Sequence, residues 1–281
     1  MFRELDLQTR SDLENYFQDK DYMVIAVPRE ELIRVYALRA TRTVETARRV
    51  HALEGKSLET LGPSLLSALL LTSLVKHATP QKVLLKVQND CGVVVAEADG
   101  KGRVRGFLEG QPQECWNSGT LSVVKELRLG TPYTSIVPVV GRDFQEALSF
   151  YFEQSEQTRS YLDMALSQKD GLAYATGYLV QVLSGVSEKS IALLEQNLKS
   201  LRLADQRPED IAIHILMGME PRLIGLKEVE YYCPCSEEIA RSSLMLLQEE
   251  ELEDILSEGP AEVVCKFCKR VYRFSREQLM L

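Results

Sequence analysis

No stretch of this sequence is apolar for long enough to cross a membrane. The most hydrophobic run, within residues 58–77, is interrupted by serine and threonine, and its apolar part falls short of the ~20 residues that a spanning helix needs. Positive charge is also in short supply. The 33 lysines and arginines face 41 aspartates and glutamates, a balance of −8 with no basic run to offset it, so neither nucleic acid nor an anionic membrane is an expected partner. The amino terminus, Met1-Phe2-Arg3-Glu4-Leu5-Asp6, lacks the charged lead, apolar core and cleavage site of a secretory leader, which places the chain by expectation in the cytoplasm, where thiols are kept reduced. At Gly100-Lys101-Gly102 a glycine stands where a phosphate loop requires serine or threonine, and a hairpin turn is expected there. Histidine is scarce and poorly placed for chemistry. His51 and His77 carry no partner motif, and His214 lies among Ile211, Ile213, Ile215 and Leu216, the setting of a packed side chain. No nucleophile and base stand out as a pair, so the chain is not expected to be an enzyme.

Cysteine is sparse too, with six in the chain, yet four of them gather near its end. Cys233-Pro234-Cys235 is followed, after residues 236–264, by Cys265-Lys266-Phe267-Cys268. Two such pairs brought together supply four soft sulfur ligands, the set that holds a tetrahedral zinc ion at about 2.3 Å per bond. The second pair has ordinary zinc-knuckle spacing. The first, with one intervening residue, is tighter than usual. Zn2+ held by Cys233, Cys235, Cys265 and Cys268 in the reduced protein is therefore the expected cofactor, with Lys227, Lys266, Lys269 and Arg270 offsetting the charge of four thiolates. Four sulfurs fill the ion's coordination shell and leave no open position for water, which points away from metal catalysis. Cys91 and Cys115 lack close partners in the sequence and are expected to be buried thiols.

The rest of the chain reads as α+β. Residues 1–20 suggest a helical lead-in. Residues 21–27 and 33–38, rich in β-branched and aromatic side chains about the turn Pro28-Arg29-Glu30-Glu31, suggest a hairpin. Residues 41–51 have helical spacing, and 58–77 should be a buried core helix with Pro63 in its first turn. Strands are expected at 82–87, 92–98, 102–108, 119–125 and 135–140, Pro138 marking an edge or bulge. An amphipathic helix follows at 144–156, and strand character returns from 164 to 182. Helical periodicity covers 188–203 and 208–217 beyond the break at Ser184-Gly185-Val186-Ser187. Between the cysteine pairs, residues 237–257 read as one helix whose acidic run, Glu249-Glu250-Glu251 with Glu253 and Asp254, is a solvated face. Gly259-Pro260 ends it, and 263–264 with 271–274 form a hairpin around the second pair. The organisation expected is a sheet-and-helix core domain over 1–184, a helical linker over 185–226 and a small zinc-binding domain over 227–281, for which the resemblance below implies a redox-switch role.

From about Asp21 onward the sequence resembles the bacterial redox-regulated 33-kilodalton heat-shock chaperone family. The residues that carry the resemblance are Tyr231-Tyr232-Cys233-Pro234-Cys235-Ser236, Glu253-Asp254-Ile255-Leu256, Val264-Cys265-Lys266-Phe267-Cys268 and Tyr272-Arg273-Phe274, supported by Gly119-Thr120-Leu121-Ser122-Val123-Val124-Lys125 and Ser155-Glu156-Gln157. It implies an ATP-independent holding chaperone that is inactive while reduced and zinc-bound. Oxidation would join Cys233 to Cys235 and Cys265 to Cys268, release the metal and expose apolar surface to unfolded client proteins, with a homodimer in the oxidised state. Two other classes stay open on the residues alone. A zinc-ribbon interaction module would need a basic face for nucleic acid, and a thiol oxidoreductase would place its Cys-x-x-Cys at the end of a strand of a βαβ unit.

Overall fold

The run Tyr22–Val27 (β2) pairs antiparallel with Ile33–Arg39 (β3), Tyr22 opposite Arg39 and Ala26 opposite Val35, as expected of a hairpin. Its side chains alternate between two cores: Met23 and Ile25 enter one, Tyr22, Val24 and Ala26 the other. A strand buried on both faces needs layers on both sides. The computed structural model describes residues 3–73, 81–126, 132–155, 158–167 and 174–279, in two compact units, Met1–Tyr231 and Tyr232–Leu281.

In the first unit, β2 and β3 are the centre of an antiparallel sheet. On one side of the hairpin lie Arg222–Glu228 (β11) and, at the edge, Arg3–Glu4 (β1); on the other lie Tyr174–Val182 (β10) and Arg159–Ser167 (β9). A second sheet takes Lys82–Asn89 (β4), Gly92–Asp99 (β5), Arg103–Gly110 (β6), Thr120–Glu126 (β7) and Tyr133–Pro138 (β8) in the order β6-β5-β4-β7-β8; Glu230–Tyr231 (β12) pairs parallel with β6. Pro138 does lie on an edge strand. Between β5 and β6, the Asp99 carboxylate accepts from the backbone N–H groups of Lys101 and Arg103, which makes residues 99–102 a hairpin turn.

Lys56–Thr72 (α3) is buried on almost every side and shares one core with both sheets, through Leu61, Leu65, Leu66, Leu69 and Leu70. That is how a helix apolar all round must sit. Pro63 lies two turns inside it and not in the first turn, because Gly55, with φ 50°, starts the helix ahead of the apolar run. His77 lies outside the described residues. Thr41–His51 (α2) and Phe144–Ser155 (α4) form where periodicity placed them, and Phe144, Ala147, Leu148, Tyr151 and Phe152 of α4 are buried. Leu7–Phe17 (α1) supplies the helical lead-in, with the Asp6 carboxylate capping it by accepting from the Thr9 N–H.

Several expectations change. Residues 164–182 contribute to two antiparallel strands, β9 and β10, and β9 begins already at Arg159; residues 168–173 lie outside the description. Residues 185–226 contribute to the first unit. Glu188–Ser200 (α5), capped by Ser187, and Pro208–Ile215 (α6) bury Ile191, Leu194, Ile211 and Ile215 against the outer face of the first sheet, and β11 extends that sheet. Sequence reading missed β11. Its register slips between Leu223 and Gly225, and this bulge breaks the alternation by which strands are recognised. Cys91 and Cys115 are not free thiols but are joined by a disulfide, because the β6–β7 connection crosses the tip of the β4–β5 hairpin.

The second unit has a small core of Ala240, Leu244, Leu256, Ala261, Phe274 and Leu279. Residues 237–257 form two helices, Glu237–Leu244 (α7) and Glu249–Glu258 (α8), and not one. Gln248 and Glu251 form a reciprocal capping box that starts α8 afresh, and Leu246 in the break is 83% exposed. Ala261–Val264 (β13) and Val271–Phe274 (β14) form the expected hairpin, and Arg276–Leu279 (α9) follows.

Candidate metal and redox centre

Cys233 and Cys235 lie in the extended segment ahead of α7, whose start is fixed by Ser236, the hydroxyl accepting from the Ile239 N–H. Cys265 and Cys268 lie in the turn between β13 and β14. There the Cys265 N–H donates to the Arg270 carbonyl at 2.9 Å and the Lys269 N–H donates back to the Cys265 carbonyl at 2.8 Å, with Lys269 in the left-handed region at φ 58°. The chain thus presents the second pair of sulfurs from a hydrogen-bonded turn and the first pair from the segment that leads into α7. All four Sγ atoms lie within 4.8 Å of one another, Cys233 to Cys265 at 3.7 Å and Cys235 to Cys268 at 3.2 Å, all half-buried.

The donor set fits a metal ion. Four sulfurs at about 2.3 Å around one tetrahedral centre would sit about 3.8 Å apart, close to the wider of these two separations. Tyr272 adds a contact that sequence reading did not assign: its hydroxyl donates to Cys235 Sγ at 3.2 Å, from a β14 position whose side chain sits on the same side as the sulfurs. Burial disfavours the Cys235 thiolate, but hydrogen bonds from Tyr272, Cys268, Cys233 and Cys265 outweigh it and bring the thiol down to about 7. Cys268 is pushed up to about 12, chiefly by burial and also by donating to its neighbours. The Arg270 guanidinium, beside Tyr272, Cys235 and Cys268, is held more firmly protonated. Lys227, expected to offset the thiolate charge, lies outside the unit that holds the cysteines. It belongs to β11 of the first unit, where burial lowers its pKa and Asp99 opposes that shift.

The other marked residues are structural. His51 Nε2 and the Tyr231 hydroxyl are 3.1 Å apart, and His214 Nε2 is 2.9 Å from Ser200 Oγ, so both rings are satisfied. Glu249, Glu250 and Glu251 are exposed on α8, and Glu253 pairs with Arg276 at 2.7 Å. Among the described residues no helix is long and apolar enough to cross a membrane.

Comparison with known proteins agrees with this anatomy. The family model described as Hsp33 protein matches residues 21–275. The chain is 48% identical to the 33 kDa chaperonin of Aquifex aeolicus, over 98% of this chain and 93% of that protein, and 30% identical to the 33 kDa chaperonin of Clostridioides difficile, over 93% and 98%. A crystal structure of the 33 kDa chaperonin (heat shock protein 33 homologue) of Thermotoga maritima superposes with a TM-score of 0.81 at 29% identity, over 92% of this chain and 96% of that one. These relatives are named as chaperonins and not as enzymes, and the fold and the extent of the match agree: the chain belongs to the Hsp33 chaperone family.

Proposed function

We propose that this protein is a redox-regulated, ATP-independent holding chaperone of the cytoplasm, silent while its four tail cysteines are reduced and hold Zn2+, and active once they are oxidised. The observation that carries the reading is the convergence of four sulfurs within 4.8 Å in a unit whose own apolar core is small. When bound, structural zinc supplies roughly 10–16 kcal/mol of folding free energy in small peptides, comparable with the whole stability of an ordinary domain. Oxidation by a peroxide-class oxidant removes two electrons from each pair of thiolates as a disulfide forms, and each peroxide takes up those electrons with two protons from solvent to give two waters. Pairing Cys233 with Cys235 and Cys265 with Cys268 takes away all four ligands. The tail, left with its few buried side chains, then unfolds.

Three functional parts follow: a core over 1–184, a linker over 185–226 and a switch over 227–281. Cys233 follows β12 by two residues, so loss of order in the tail reaches β12 and β11 along the chain. Loosening of α5 and α6 then uncovers Ile191, Leu194, Leu198, Ile211 and Ile215, an apolar surface that unfolded clients recognise with little sequence preference. Clients are held and not folded, and the oxidised form associates as a dimer.

The test combines three readouts on the full chain: metal content, suppression of client aggregation by light scattering, and hydrogen exchange. The reduced protein should carry one zinc and fail to hold clients; peroxide should release the zinc, switch holding on and strip protection from residues 188–281. A reduced Cys233→Ser, Cys265→Ser variant that retains full zinc, or protection unchanged after peroxide, sinks the reading.

A further inference from the structure

Cys91 and Cys115 belong to neither the metal cluster nor the switch, yet their surroundings are built to keep them together. Cys91 sits at the tip of the β4–β5 hairpin, and Cys115 ends the short 3-10 turn Pro112–Glu114 in the β6–β7 connection. Their Cα atoms are 5.8 Å apart, within the range that a disulfide spans. The Asn89 carboxamide clamps both loops: its Nδ2 donates to the carbonyls of Pro112 at 2.8 Å and Cys115 at 3.2 Å, and its Oδ1 accepts from the Cys91 N–H at 3.1 Å. The Gln111 N–H donates to the Cys91 carbonyl at 2.8 Å. The two backbones approach so closely that a Cβ on Gly92 would overlap the Glu109 carbonyl oxygen, and one on Gly110 the Cys91 carbonyl oxygen. None of these contacts involves sulfur, so the two sulfurs stay neighbours whether or not they are bonded.

We propose that Cys91 and Cys115 form a second thiol–disulfide couple, in the first unit and independent of the tail cysteines, that fastens the β6–β7 connection to the second sheet under oxidising conditions. The chemistry is the same two-electron step: both thiols give up a proton and an electron, a peroxide-class oxidant is reduced to two waters, and one S–S bond forms. Its mechanical sign is opposite to that proposed for the tail. An oxidant that opens the tail would tighten the unit that must stay folded while clients are held. The couple stands whether or not the tail acts as a switch.

The single tryptophan makes the test direct, because Trp116 follows Cys115 in the chain and a neighbouring disulfide quenches indole emission. The experiment uses the full chain with Cys233, Cys235, Cys265 and Cys268 all replaced by serine, so that a failure of the tail reading cannot affect it. After peroxide, a non-reducing tryptic digest should contain residues 87–101 linked to residues 106–125, and Trp116 emission should fall, recovering with dithiothreitol. The thermal midpoint of the first unit should rise on oxidation by about 5–10 °C, the shift that closing a loop of sequence separation 24 confers on a unit of this size. Adding Cys91→Ala and Cys115→Ala should abolish all three responses. The absence of the linked peptide, emission that ignores the redox state, or a bond that excess dithiothreitol cannot open in the native protein would each overturn the proposal.

Discussion

Glu209 is fully buried in the first unit, accepting at 2.7 Å from the Tyr22 hydroxyl, with the Arg207 guanidinium 3.5 Å away. Burial raises its pKa above the ordinary 4.5, although the Tyr22 hydrogen bond and Arg207 pull the other way. A carboxyl raised on folding contributes stability that is complete below its unfolded value and is lost as pH rises through the folded value. Glu209→Gln keeps an acceptor for Tyr22 and removes the charge, so the variant should gain stability relative to the parent as pH climbs from 4.5 toward neutrality. Urea melts of the reduced protein at pH 5 and pH 8 check this; a variant that loses ground at pH 8 shows that Arg207 already neutralises the cost. Legibility from sequence at this scale depended on spacing. The tail cysteines were readable because each pair is local in sequence and its chemistry needs only closeness. The partnership of Cys91 with Cys115, and the aim of Tyr272 at Cys235, are products of topology and strand register, and no local pattern encodes them.

Helix α5 starts at Ser187, whose hydroxyl accepts from the Ser190 N–H at 3.2 Å and also meets Glu31 at 3.1 Å. If the linker loosens on activation, this cap helps set the threshold. Ser187→Ala should weaken α5 by about 1 kcal/mol. Amide protons of residues 188–200 should then exchange several-fold faster in the reduced protein, and client holding should appear at lower peroxide concentration. Unchanged exchange would show that packing of Ile191 and Leu194, and not the cap, holds the helix. Elements with a clean period were the ones visible in advance: the β2–β3 hairpin, the β4–β5–β6 meander, α2 and α4. Those with an interruption were misjudged, each for a local physical reason. A bulge at Gly225 hid β11, the capping box at Gln248 split a helix that hydrophobic spacing alone had joined, and strand character read on through Leu172 hid the division of β9 from β10.

Across the whole chain, the proposed holding surface is the apolar faces of α5 and α6 and not the net charge of −8. Raising ionic strength from about 0.1 M to about 1 M shortens the Debye length from about 10 Å to about 3 Å, which should leave aggregation suppression by the oxidised protein intact. A collapse of holding in high salt would instead mark electrostatic capture. In the tail, the close sulfur contacts run across the chain: Cys233 meets Cys265 and Cys235 meets Cys268, partners separated by 32 and 33 positions. A bond along either contact would close a long loop and withhold roughly 3–4 kcal/mol of entropy from the unfolded tail. Bonds between sequence neighbours close minute rings and leave the intervening chain at liberty. Removing the same four electrons can therefore write two opposite connectivities, one that padlocks the tail and one that unlatches it, and the order in which sulfurs exchange neighbours decides which is written.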